Sequence, residues 1–107
     1  MMEFIMAKKV YRNFNSLSRF LKQNLPINKQ ISVRRLKLKH FDGECEYKNN
    51  RFIIRIDSTL PEIHAIDVLV HEFSHAISWG VEEDYHGPKW GKAYSFVYRK
   101  YLEWLDS

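Results

Sequence analysis

The sequence predicts an α+β domain: a helix, a three-stranded antiparallel sheet, then two further helices. Three observations lead there. Apolar residues recur every three or four positions before Pro26, every second position after Ile31, and every three or four again after Pro61. A length of 107 residues suits one core. An apolar fraction of 45% against 28% charged residues is that of a globular domain and excludes a disordered chain. A single domain over 1–107 is expected, with 1–13 as a loosely packed N-terminus.

Taken in order, Asn15 or Ser16 is placed to cap a first helix carrying Leu17, Phe20, Leu21 and Leu25 on one side. Arg19 and Lys22 fall on its other side, and Pro26 follows its end. The next segment puts Leu36 and Leu38 in alternation with Arg35, Lys37 and Lys39, a half-buried strand with a basic outer face. Cys45 and Tyr47 alternate with Glu44, Glu46 and Lys48, and Phe52, Ile54 and Ile56 with Arg51, Ile53 and Arg55. Lys48-Asn49-Asn50-Arg51 joins these two strands as a tight hairpin, because asparagine tolerates positive φ. That register sets Glu44 opposite Arg55.

Ser58 or Thr59 is expected to cap a helix starting at Pro61, with Glu62 in its first turn. Its apolar face would hold Ile63, Ile66, Val70, Phe73 and Ile77, and Gly80 would stop it. Glu82-Glu83-Asp84 reads as a solvated acidic loop. Pro88 opens a last helix on which Trp90, Tyr94, Val97, Tyr101 and Trp104 recur every three or four residues.

Composition narrows the function classes. Cys45 is the only cysteine, so no intrachain disulfide and no cysteine-based zinc ribbon can form, which favours a reducing cytoplasm. Lying in a strand among apolar neighbours, Cys45 reads as core and not as a nucleophile. The opening residues do not make a signal peptide, and no run approaches the ~20 apolar residues of a membrane span. A soluble cytoplasmic protein without a membrane partner is expected. The net charge of +4 conceals an asymmetry, +9 over residues 1–56 against −5 over 57–107. A basic half points to a polyanion such as DNA, with Arg35, Lys37 and Lys39 as the candidate contacts.

The chemistry sits in His71-Glu72-Phe73-Ser74-His75, an H-E-x-x-H run. Residues four apart share a helix face, so both imidazoles can reach one metal ion, and Glu72 lies beside that face. With 5 His and 8 Glu in the chain, the pattern arises by chance about 0.02 times per sequence, so its context must support it. The context is His86-Gly87-Pro88-Lys89-Trp90. His86 lies eleven residues after His75, at the threshold of the last helix, where its side chain can fold back and close the coordination shell. Three histidines on a tetrahedral zinc leave one position open, as catalysis requires.

H-E-x-x-H followed shortly by H-G-P-x-(aromatic) resembles the SprT-like family of zinc metallopeptidases, which includes the Spartan proteases. The similarity covers roughly residues 28–105, with the motifs confined to 71–75 and 86–90. It implies a minimal zincin-like core, Zn2+ on His71, His75 and His86, Glu72 as general base, and protein substrates associated with DNA. Members often carry an acidic residue where Lys89 stands. Many also have a C-terminal zinc ribbon, and none follows here, so DNA targeting is expected to rest on the basic half or on a partner.

Other zincin patterns fit less well. The metzincin arrangement needs Gly and His where Ser78 and Val81 stand, and a gluzincin would have only Glu103 as its carboxylate ligand. Asp67, four residues before His71, is placed to bond a ligand histidine. Tyr85 and Tyr94 are candidates to stabilise an oxyanion, with core packing the alternative for Tyr94. His64 reads as a surface residue flanking the site. Two functions follow as expectations: a zinc endopeptidase acting on a protein or peptide, and a non-catalytic zinc-stabilised nucleic-acid-binding module. The 81–85 loop would decide whether the metal site is open or covered.

Overall fold

The computed structural model describes residues 13–80 and 86–106. Their element order is α1 (Phe14–Asn24), β1 (Gln30–Leu36), β2 (Gly43–Lys48), β3 (Arg51–Asp57), α2 (Glu62–Ile77) and α3 (Pro88–Asp106). The α+β expectation holds. Residues 1–12, the Glu82–Asp84 loop and Tyr85 lie outside the described residues.

α1 begins two residues earlier than the sequence suggested. The Asn13 side chain accepts a hydrogen bond from the Ser16 N–H at 2.9 Å, so Asn13 is the cap. Phe14, Leu17, Ser18 and Leu21 form its buried face, and Leu25 closes the C-terminal end just before Pro26.

The sheet is mixed, not antiparallel as expected. Its order is β1-β3-β2, with β1 parallel to β3 and β2 antiparallel to it. The cause is the burial demand of β3, whose Phe52, Ile53, Ile54 and Ile56 are all at most 8% exposed. A strand apolar on both faces belongs in the middle. After β1 the chain therefore crosses to the far edge, forms β2, and turns back through Asn49 and Asn50 at φ 53° and 63°. In this register Glu44 does face Arg55, and Arg55 pairs with both Glu44 at 3.7 Å and Glu46 at 3.1 Å.

β1 corrects another expectation. It ends at Leu36, so Lys37 and Lys39 lie beyond it, and Leu36 is on the exposed side. Arg35 does not stand on a free basic face. Its guanidinium donates to the carbonyls of Asp57, Ser58 and Leu60 at 3.3, 3.4 and 3.1 Å, and lies 4.8 Å from the centre of the Phe14 ring. It locks the β3–α2 connection to α1 and β1.

α2 follows Pro61 without a side-chain cap, contrary to the expected role of Ser58 or Thr59. The Asp57 carboxylate organises the turn instead, accepting from the Thr59 N–H and hydroxyl at 3.1 and 3.0 Å. Glu62 accepts from the Phe14 N–H, joining the starts of α1 and α2. Ile66, Val70 and Phe73 are buried as expected, but Ile63 is 79% exposed, and Ala65, Leu69 and Ala76 complete the buried face. Gly80 takes φ +70°, the left-handed conformation that carries the chain off the helix end.

One core joins the layers: Leu17 and Leu21 of α1, Ile54 and Ile56 of β3, Leu69 and Phe73 of α2, and Val97 and Trp104 of α3. Burying each such large apolar side chain contributes about 1.5–3 kcal/mol. β2 approaches α2 closely at Gly43, where an added Cβ would stand 2.5 Å from Val68 Cγ1. The missing side chain lets the sheet edge lie directly against the helix carrying the H-E-x-x-H run. No helix among the described residues is long and apolar enough to cross a membrane.

Candidate metal centre

α2 turns His71 and His75 to the same side, as their four-residue spacing demands, and brings their Nε2 atoms 3.2 Å apart. His86, at the start of α3, places its Nε2 3.2 Å from that of His71. One ligand atom from each of the three lies within 4.8 Å of the others. Imidazoles on a tetrahedral ion at about 2.1 Å stand about 3.4 Å apart, so the observed spacing fits one shared ion. The donor set is not specific to zinc, because three imidazoles also suit copper, nickel and iron.

Electrostatics favour the form that binds a metal. Burial pushes His71 below the ordinary imidazole range, and the nearby His86 adds to the effect. Burial, then His71 and His86, push His75 down to about 4. Both rings are therefore neutral at pH 7, with lone pairs available to a cation.

Trp90 supplies what the sequence reading missed. Its ring lies 5.0, 5.7 and 4.9 Å from those of His71, His75 and His86, so one indole contacts all three imidazoles. The available signal was its position, one helical turn after His86, read there only as an element of the α3 stripe. The indole restricts the rotation of the three rings and keeps water from one side of the site.

Glu72 points from α2 into the same region and is only 6% exposed. Burial, with Glu44 adding, pushes its carboxyl up to about 7. A carboxyl in that range both takes and returns a proton near neutral pH. Among the described residues, it lies where two parts of a cleft meet. One part, of about 480 Å³, runs between Phe41 and Cys45 on the β2 side and His75, Trp79 and His86 on the helical side. The other, of about 820 Å³, continues over Asp42, His64, Asp67, Tyr94 and Tyr98. His71 and Glu72 line both.

The remaining sequence candidates divide. Asp67 is exposed on the cleft wall, and among the described residues no hydrogen bond joins it to His71. Tyr94 is half-buried, packs 5.2 Å from Trp90 and lines the cleft beside Glu72. His64 stands at the surface, 3.4 Å from the Asp42 carboxylate. Cys45 lines the cleft, but burial, with Glu72 adding, pushes its thiol up to about 12, so it is inert as a nucleophile. Glu103 pairs with Lys100 at 3.3 Å on the exposed side of α3 and is not among the grouped ligands. Lys37 and Lys39 are exposed, away from Arg35's structural contacts. No protein family, curated protein or solved structure matches the chain.

Proposed function

We propose that the chain is a zinc-dependent endopeptidase of SprT-like type with a minimal zincin-like core. One observation carries the reading: three imidazole nitrogens at coordination spacing stand beside a buried glutamate, at the meeting point of a cleft. A purely structural metal site has no use for that glutamate or for the cleft.

His71, His75 and His86 are the residues to hold the ion, and Trp90 orients them. When bound, zinc supplies Lewis acidity and a nucleophilic water at neutral pH. Glu72 takes one proton from the attacking water as its oxygen bonds to the scissile carbonyl carbon, and delivers that proton to the leaving nitrogen as the C–N bond breaks. Tyr94, on the cleft wall, is placed to donate to the developing oxyanion.

The substrate is an extended peptide held by the free edge of β2. Lys48 and Arg51 close a two-residue turn and Asp57 donates to the Asp42 carbonyl at 2.8 Å, so the bonded pairs alternate along the hairpin. The backbone groups of Gly43, Cys45 and Tyr47 then point away from β3, ready for an added strand.

Protein substrates on DNA suit the exposed Lys37 and Lys39 just past β1. Those two lysines are also what favours the second reading, a non-catalytic zinc-stabilised nucleic-acid-binding module. The deciding experiment compares zinc-loaded wild type and Glu72→Gln on an unfolded protein substrate, with zinc per chain measured in parallel. Cleavage by wild type alone, at equal zinc, is expected. Equal cleavage by both removes Glu72 from the mechanism. No cleavage by either, with salt-dependent DNA binding in both, supports the binding module.

A further inference from the structure

The protein carries 17 Lys and Arg and a net charge of +4, yet among the described residues no Lys or Arg lines the larger part of the cleft. Asp42 and Asp67 both line it, with Glu72 where the two parts of the cleft meet. The far wall is aromatic, Tyr94 and Tyr98 lying nearly parallel with ring centres 6.1 Å apart. Burial raises the Tyr101 phenol above its ordinary range, and the Asp67 carboxylate, then Tyr98, add to the rise. His64 reaches over to Asp42 at 3.4 Å.

We propose that this part of the cleft, between the carboxylates of Asp42 and Asp67 and the rings of Tyr94 and Tyr98, is a subsite for a lysine or arginine side chain of the substrate. Two carboxylates lining one cleft attract a cation that enters it, and the aromatic rings beside them add to the attraction. The aliphatic stem of such a side chain suits Val68 and Phe41, which line the same space. A bare divalent ion is a poorer occupant, because among the described residues only the three histidines lie at metal-ligand spacing.

Strand direction fixes where that residue falls. The acidic subsite lies at the Asp42–Gly43 end of β2, and the apolar part of the cleft at the Cys45 and Trp79 end. A peptide added antiparallel to β2, the more stable pairing, runs the other way. Its amino-terminal half meets Cys45 and Trp79, and its carboxyl-terminal half meets Asp42 and Asp67. The cation is therefore one of the first two residues after the bond that is cut. This assignment rests on the endopeptidase reading.

The test uses two sets of quenched fluorogenic decapeptides, identical except for Lys, norleucine or Glu in the first position after the central bond in one set and in the second position in the other. The set with the larger Lys-to-norleucine ratio is the one read. With the zinc-loaded wild-type chain, kcat/KM for Lys is expected to exceed that for norleucine by about tenfold, with Glu below both. The double variant Asp42→Asn, Asp67→Asn should bring the Lys-to-norleucine ratio near one, and Asp67→Lys should favour Glu. The ratio cancels any loss of activity common to both peptides. A wild-type ratio near one, or a ratio unmoved by the double variant, overturns the subsite while leaving the endopeptidase intact. If no peptide is cut, the same peptides, fluorescein-labelled, are titrated onto the zinc-loaded Glu72→Gln chain. A Lys preference that the Asp variants abolish keeps the subsite and removes the peptidase; no preference overturns the subsite.

Discussion

Arg35 near the end of β1 and the histidine cluster at α2 both gather side-chain nitrogen, with Arg35, His71 and His75 half-buried and His86 exposed, and their surroundings answer it in opposite ways. Arg35 is answered from within: three carbonyls and the Phe14 ring receive its charge. His71, His75 and His86 converge their Nε2 atoms on a common point, beside a carboxyl that burial holds partly protonated. The first arrangement stabilises the empty chain. The second leaves three imidazole nitrogens that an ion could share. A cluster whose lone pairs converge on one point could hold a cation from outside the polypeptide.

The sharpest way to break this contrast is to remove the histidine common to both short contacts. His71→Ala should lower zinc retention more than about 100-fold, since loss of even an indirect ligand partner costs 10–100-fold. Zinc per chain after dialysis checks it; retention at the wild-type level would dissolve the proposed centre. The metal-free stability of this variant should stay close to that of wild type.

Next in size is a pH effect on the metal-free protein. Glu72 has its carboxyl raised from 4.5 to about 7 on folding, so the folded chain binds its proton more tightly than the unfolded one. Its contribution to stability is present below pH 4.5 and is lost as pH rises through 7. His75 runs the other way, with its contribution lost as pH falls from 6.5 towards 4. Glu72→Gln removes only the first effect. The stability difference between the variant and wild type, from denaturant unfolding in chelator, should therefore move in favour of Gln by up to about 3 kcal/mol between pH 4.5 and 8. A flat difference would mean the carboxyl is not a burden.

Arg35→Ala is expected to destabilise by about 2–3 kcal/mol, because the carbonyls lose a charged donor. Zinc retention should be unchanged, and Arg35→Lys should restore only part of the loss. A drop in zinc binding on Arg35→Ala would blur the two regions into one.

The site was far more legible than the scaffold, for a physical reason. His71, His75 and Glu72 are related by the period of one helix, so local spacing nearly determines them, whereas the contact of Trp90 with all three imidazoles was missed. The hairpin was equally local, two asparagines at positive φ setting Glu44 against Arg55. Arg35 was misread because its partners are carbonyls 22 to 25 residues away, and a carbonyl has no residue identity. The parallel pairing of β1 with β3 was missed for a different reason. Alternation describes faces and says nothing of neighbours. The signal that was present, Ile53 breaking the polar side of β3, marks a strand covered on both faces and hence a central one.

The placement of His86 at the mouth of α3 has one more consequence. The first described amide bonded inside that helix is Gly91, which donates to the Gly87 carbonyl at 2.9 Å. An ion shared with His71 and His75 would pin this helix end to α2 and slow its local opening, while core amides around Val97 would hardly notice. Hydrogen exchange at Gly91 would then be a built-in gauge of occupancy: protected with a metal bound, quick without it.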